Sequence, residues 1–555
     1  MSARTELAAG GCVLAFALSA CSTKDLGTRG PTGAVLTGSG SSAGSTSGGL
    51  STSGSAATSG NASSSGASSS GASGSGASGS GASGSGASGS GASGASSAGA
   101  SASGSPSASS GGSASGGTGT DAPDPDIASI LANLSADRIS QSIQTLAGFG
   151  TRSSCSPQTA GPQGIVAARD WLKAQFDGIA GLKTSLYPYA QTRCIQSFTR
   201  HNVIALIPGA IHPERIVVVG SHYDSRTIDV TDGTSPAPGA NDSGSQTALV
   251  LELARAFVGH SFDATVAFIA FAGEEQGMVG SGALAKDMGS VVPNGQVVAM
   301  LQSDIVGGDK GVNDATTLQQ FRLYSPGTPR EVGATTPDGT PDDTSPSRGL
   351  MRYVATWGAL YVPSMTILPK LREDRPGRGS DHEPFIALGR PGVRFIEAVE
   401  SPNAGTMASH QHSPNDLPMY VTPEYTVRVA QIVAAVAASL ARAPDAPGSI
   451  AVTGDATGPK LTWTAPTIGA IDHYFVAARP VSENFYHSRV RVDGKVTNAA
   501  VTPAGLGVDA TQPYFVSVAA VDPGGHESLF ADPEFRCDPS GCVVPIAALN
   551  ITSTK

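Results

Sequence analysis

Between Asn202 and Leu440, short apolar runs rich in β-branched residues alternate with stretches of helical periodicity. Run after run ends in a carboxylate or a histidine. Asn202 to Ile207, Ile216 to Gly220, Thr265 to Phe271, Val297 to Leu301 and Val393 to Ile396 read as strands. Ile130 to Leu146, Gly164 to Phe176, Thr247 to Phe257 and Pro423 to Leu440 read as helices, the third with Ser243 or Ser245 near its start as a cap. This alternation predicts an α/β domain on a mostly parallel or mixed central sheet flanked by helices on both faces. Open sheets of that kind build their sites at the carboxyl ends of the strands.

The residues at those ends suit metal chemistry. His222, in Gly220-Ser221-His222-Tyr223-Asp224, offers an imidazole, and Asp224 can accept the proton on the ring's other nitrogen. Asp242 follows Pro238-Gly239-Ala240-Asn241, just ahead of a helix. Its two oxygens can bridge two cations, although Asp in this place also caps helices. Glu274 and Glu275 close a buried run, where adjacent like charges are costly unless a cation lies beside them. Their side chains diverge, so one can bind metal while the other reaches water. Asp304 ends another strand, with Gly307-Gly308 behind it, and His412 stands in a loop with Asp416 four residues on. His410 and His382 are its rivals. Each signal is weak alone, but together they describe a site for two zinc ions and a catalytic carboxylate.

HYD, GAND, AGEE, SDIVG, SDHEPF and HSPND resemble the two-zinc aminopeptidases of metallopeptidase family 28, the group of the bacterial leucyl aminopeptidases, from about Ile130 to Leu440. The resemblance implies a zinc-exopeptidase fold and two zinc ions per chain. Asp242 would bridge them, Glu275 and His412 would complete one, and His222 and Asp304 the other. Glu274 would be the general base of a metal-assisted hydrolysis removing residues from the amino ends of peptides. It also puts Asp381 and His382 at the cleft wall, supporting the ligands or facing substrate. Gln246 stands where such enzymes carry glycine, a change expected to alter packing more than chemistry. A carboxypeptidase or a one-zinc glutaminyl cyclase on the same fold are alternatives. The cyclases tend to carry Trp beside the last ligand, where this chain has Gln411. An inert peptidase-like binding protein is the non-enzymatic alternative.

The rest of the 555 residues divides by composition. Residues 1–21 read as a signal peptide whose Leu18-Ser19-Ala20-Cys21 resembles a bacterial lipobox, with Cys21 carrying the lipid. Export as a membrane lipoprotein facing outside the cytoplasm, or secretion, is expected, and no other segment reads as apolar enough to span a bilayer. Residues 22–125, nearly all Gly, Ser, Ala and Thr, lack apolar side chains to bury and predict a flexible tether. The peptidase domain is expected over 126–443, with Asp309 to Ser347 as a polar insertion. After a Pro- and Ala-rich joint, residues 444–535 resemble a fibronectin type III β-sandwich, through KLTWTAP, HYFVAAR and PYFVSVAAVDPGG. A tail over 536–555 holds Cys537 and Cys542, placed to bridge a tight turn, and Cys155 and Cys194 can pair. A net charge of -10 with no basic run argues against nucleic acid. The expected partners are peptide substrates and a membrane, and the expected state is a monomer.

Overall fold

The computed structural model describes residues 122–157, 161–308, 317–326, 345–374, 378–400, 410–455 and 457–543. The leader with Cys21, and the tether as far as residue 121, lie outside them. The chain enters through α1 (Pro125–Ala132) and α2 (Ala136–Gly148). The periodic stretch Ile130 to Leu146, which reads as one helix, is therefore two. Ser135 breaks it by turning its hydroxyl to accept the Arg138 N–H and cap α2. There follow α3 (Gly164–Asp177), β1 (Lys183–Gln191), β2 (Phe198–Ile207), β3 (His212–His222), α4 (Gln246–Phe257) and β4 (Ala264–Phe271). Next come α5 (Val279–Lys286), β5 (Gln296–Ser303), β6 (Gln320–Tyr324), α6 (Pro346–Tyr361), β7 (Thr366–Lys370), α7 (Glu383–Ile386), β8 (Gly392–Glu397) and α8 (Pro423–Arg442).

One eight-stranded sheet runs in the order β1-β2-β4-β3-β5-β8-β6-β7. Its centre, β4-β3-β5-β8, is parallel. The edges make it mixed, since β1 and β2 join antiparallel on one side and β6 pairs antiparallel with β8 on the other. β6 lies within the stretch expected to be a polar insertion, so part of that stretch is sheet. Alternation within the strands sorts the core. Val217 and Val219 face α4 and α8 in the larger cluster, while Ile216 and Val218 face α5 and Phe385 of α7 in the smaller. Each fully buried aliphatic side chain contributes roughly 1.5–3 kcal/mol. β4 is buried along its whole length, as befits a strand covered on both faces. α8 is long and apolar enough to cross a bilayer, contrary to the sequence expectation, but 78% of that stretch is buried within the protein. It is a core helix.

Residues beyond the joint form two antiparallel sheets. β9 (Gly448–Asp455), β10 (Gly458–Thr464) and β13 (Asn498–Ala500) make one. β11 (His473–Pro480), β12 (Ser488–Asp493), β14 (Tyr514–Val521), β15 (Phe535–Asp538) and β16 (Gly541–Val543) make the other. Trp463 and Tyr474 meet edge to face at 5.1 Å inside their shared core. The β15–β16 hairpin, closed by Cys537–Cys542, extends the larger sheet, so the first residues of the expected tail belong to the all-β unit. Cys155 and Cys194 also pair. Polar contacts join this unit to α6: Tyr353 donates to the Glu527 carbonyl at 3.0 Å, and Arg352 pairs with Glu534 at 3.1 Å.

Candidate metal centre

Strand order brings the polar ends together. β4, β3 and β5 are parallel neighbours, and Gly220 lies opposite Gln302. Continuing two residues along each strand sets His222 beside Asp304, while Glu274 and Glu275 leave β4 on the other side of β3. Asp242 arrives from the turn ahead of α4, where a cis peptide joins it to Ser243. Asp416 accepts the main-chain N–H groups of Asn241 and Asp242, both at 2.9 Å. Buried Arg152 gathers the same region, donating to the carbonyls of Tyr223 (2.7 Å) and Gly239 (2.9 Å). Gly239 has φ 54°, and a Cβ there would stand 2.5 Å from the Asp242 carbonyl oxygen, so the turn requires glycine.

The Asp242 carboxylate is shared. Oδ1 lies 3.4 Å from His222 Nε2 and Oδ2 lies 3.1 Å from His412 Nε2. Asp304 Oδ1 is 3.4 Å from the same nitrogen of His222, and Glu275 Oε1 is 3.4 Å from the same nitrogen of His412. The far oxygens of the two outer carboxylates are taken by arginines: Asp304 Oδ2 by Arg394 at 2.8 Å, and Glu275 Oε2 by Arg226 at 2.6 Å. Three overlapping groups result, His222–Asp242–Asp304, Asp242–Glu275–His412 and His222–Glu274–Glu275, and the first two share Asp242. The cleft above them encloses about 290 Å³ and is walled in part by Arg378, Glu373, Glu383 and Met278.

The donors fit zinc, which takes imidazole nitrogen and carboxylate oxygen. Asp242 Oδ1 and Glu275 Oε1 are shielded from solvent and receive no hydrogen bond among the described residues. Left in that state, such atoms are costly, and a cation would satisfy them. Charge tells the same story. Burial drives the Glu274 carboxyl well above its usual range, and Glu275, Asp304 and Asp381 push it the same way against the pull of His222. Burial would discharge His412, but the Glu275 and Asp242 carboxylates outweigh it and raise the imidazole to about 9. Asp304 is lowered to about 2 because Arg394 and His222 overcome its burial.

The Peptidase family M28 model matches residues 202–437. A probable zinc metalloprotease of Pyrenophora tritici-repentis (strain Pt-1C-BFP) is 33% identical over 443 residues, covering 76% of this chain and 99% of that relative. The chain belongs to peptidase family M28. It is accordingly a zinc metallopeptidase, and peptides are its substrates. Among solved structures it is similar to the Legionella pneumophila LapA aminopeptidase, at 21% identity, 57% coverage of this chain, 74% of that one and a TM-score of 0.43. It is also similar to the Fimbriiglobus ruber glutaminyl cyclase, at 22% identity, 55% and 94% coverage and a TM-score of 0.40.

Around the ligands of this M28 peptidase, the structure separates supporting residues from those that face the cleft. Asp381 and His382 are buried and do not line the cleft; Asp381 accepts from Gln302 at 3.2 Å, and His382 Nδ1 meets the Ser380 carbonyl at 3.2 Å. They brace the wall, and their neighbours Gly379 and Glu383 form its surface. The partner of His222 Nδ1 is the Asp224 main-chain carbonyl at 3.1 Å, with the carboxylate Oδ1 farther away at 3.5 Å. The other carboxylate oxygen, Oδ2, accepts from Ser154 and the Glu275 N–H, while Oδ1 stays toward His222 as the sequence predicts. Gln246 does more than pack, since its amide nitrogen reaches His222 Nε2 at 3.1 Å. His410 stacks on Tyr420 at 3.9 Å. No local pattern in the sequence marks the buried Arg152 and Arg394 or the half-buried Arg226, because an arginine's partners are not near it in sequence.

Proposed function

We propose that this M28 peptidase is an exported aminopeptidase using two zinc ions, bridged by Asp242, with Glu274 as general base. The observation that carries the reading is the division of Asp242 between His222 and His412, one oxygen to each. His222 and Asp304 would hold one ion, and Glu275 and His412 the other. Bound zinc would polarise the scissile carbonyl and make a water more acidic. Glu274, which lies close to His222 and Glu275 and lines the cleft, takes a proton from that water and returns it to the leaving amine nitrogen. Arg226 and Arg394 keep the outer carboxylates turned so that one oxygen of each faces inward.

Selection of the amino end is supported by the cleft's charges. Its arginines already have carboxylate partners, Arg226 with Glu275, Arg394 with Asp304, and Arg378 with Glu400 at 3.3 Å. A substrate's terminal carboxylate would have to displace one of them. Glu373 and Glu383 offer carboxylates to an α-ammonium instead. Export and lipid attachment at Cys21 belong to the same reading, supported by the lipobox-like sequence and by two disulfides, which persist in oxidising compartments. The all-β unit, fibronectin type III-like in its motifs, is then a companion module to which this reading gives no catalytic role. Zinc content should be measured beside cleavage of free-amino, amino-blocked and amino-terminal Gln peptides. Release of residues from free amino ends is the expected result. Cleavage of blocked peptides from the carboxyl end, or cyclisation of Gln, would replace the reading.

A further inference from the structure

Gln246 opens α4 and is fully buried beside the His222–Asp304 position. Its Oε1 accepts the main-chain N–H of Ile305 at 3.1 Å. A reversed amide would set one N–H against another, so this bond fixes which end faces the site. The end that does so is the NH₂ group, 3.1 Å from His222 Nε2 and 3.5 Å from Asp304 Oδ1. Both atoms belong to one metal cluster. On the far side of the ring, His222 Nδ1 faces the Asp224 carbonyl, which can only accept. In the neutral ring the proton therefore sits on Nδ1, and the single lone pair is on Nε2. That lone pair can accept the Gln246 N–H or bind a cation, and cannot do both. A protonated ring has no lone pair for either, so the contest concerns the neutral form, which is the one that binds metal.

In the other cluster no side-chain amide among the described residues reaches the His412 ring. Gln411 donates to Asp242 Oδ2 at 2.6 Å, but a carboxylate oxygen has two lone pairs and keeps one for a cation. Nothing among the described residues donates to Glu275 Oε1. We propose that Gln246 competes with metal for His222, so that the two positions fill in order. Asp242–Glu275–His412 binds first and tightly. His222–Asp304 binds second and more weakly, and only when the Gln246 amide leaves the imidazole.

This inference rests on the two-zinc reading, and the test separates them. The full folded chain and its Q246A and Q246G variants are stripped of metal and dialysed against zinc buffered over a wide range of free concentration. Bound zinc is then counted at each step. The expected result is two separated midpoints in the unaltered chain, with the second moving at least roughly tenfold tighter in both variants and the first unmoved, about the worth of one hydrogen bond. Far-UV circular dichroism in chelator checks folding, and Q246A carries the test if glycine weakens the start of α4. Two midpoints that neither variant moves would overturn the competition and leave the two-zinc reading standing. Saturation at one ion or none in all three proteins would overturn the two-zinc reading, and the competition with it.

Discussion

Arg394 and Asp304 meet across the boundary of two parallel neighbouring strands, with guanidinium Nη2 2.8 Å from carboxylate Oδ2. The second arm of the guanidinium holds Asp374 at 3.0 Å. Asp304 is thereby turned with Oδ1 toward His222, and its charge is stabilised at depth. Replacing Arg394 with Met should lower zinc affinity by about 10–100-fold, as removal of an orienting partner does at metal sites. It should also destabilise the fold by roughly 3–5 kcal/mol, because a buried pair is broken. Zinc titration and denaturant unfolding of R394M measure the two effects.

Glu274→Gln preserves shape and removes the proton acceptor. Turnover of a free-amino peptide should fall by about 10²–10⁴-fold, the range for a general base, while bound zinc stays at the level of the unaltered protein. Glu275→Gln should instead lose metal. Parallel measurement of rate and zinc content in the two variants tells the neighbouring roles apart.

Four carboxylates, Asp242, Glu274, Glu275 and Asp304, crowd one cleft. Chelation leaves their repulsion balanced only by the histidines and arginines nearby. The midpoint of thermal unfolding should therefore drop in chelator and recover when zinc is restored. A ligand at 1,000 times its dissociation constant stabilises by about 4 kcal/mol. Differential scanning calorimetry with and without chelator reads the shift.

Glu534 supplies a pH effect remote from the cleft. Burial would raise its carboxyl, but Arg352 from α6 and Arg479 from β11 outweigh burial and lower it to about 2. A depressed carboxyl stabilises the folded state above its unfolded value near 4.5, and that contribution disappears as pH falls from there toward 2. It amounts to roughly 3 kcal/mol. E534Q should weaken the junction between α6 and the all-β unit at neutral pH, and the gap between variant and parent should narrow in acid. Unfolding midpoints at pH 7 and pH 3 check both statements.

The class of fold and the types of side chain at the site were legible in the residues alone. Continuous apolar strands such as β4 can only be buried on both faces, and a carboxylate or histidine at the end of such a strand stands out against it. His222, Glu274, Glu275 and Asp304 could be named for that reason, and Asp242 and His412 through the loop motifs GAND and HSPND. Strand order was decided only in the folded chain. It sets β8 beside β5, and this adjacency alone brings Arg394 to Asp304, 90 positions away. The reach of Gln246 from the start of α4 to His222, and the burial of Asp381 and His382 behind the cleft wall, were decided in the same way. The physical reason is that the sequence fixes the kind of side chain and the period of its strand or helix, while a long side chain's partner depends on which elements become neighbours in space.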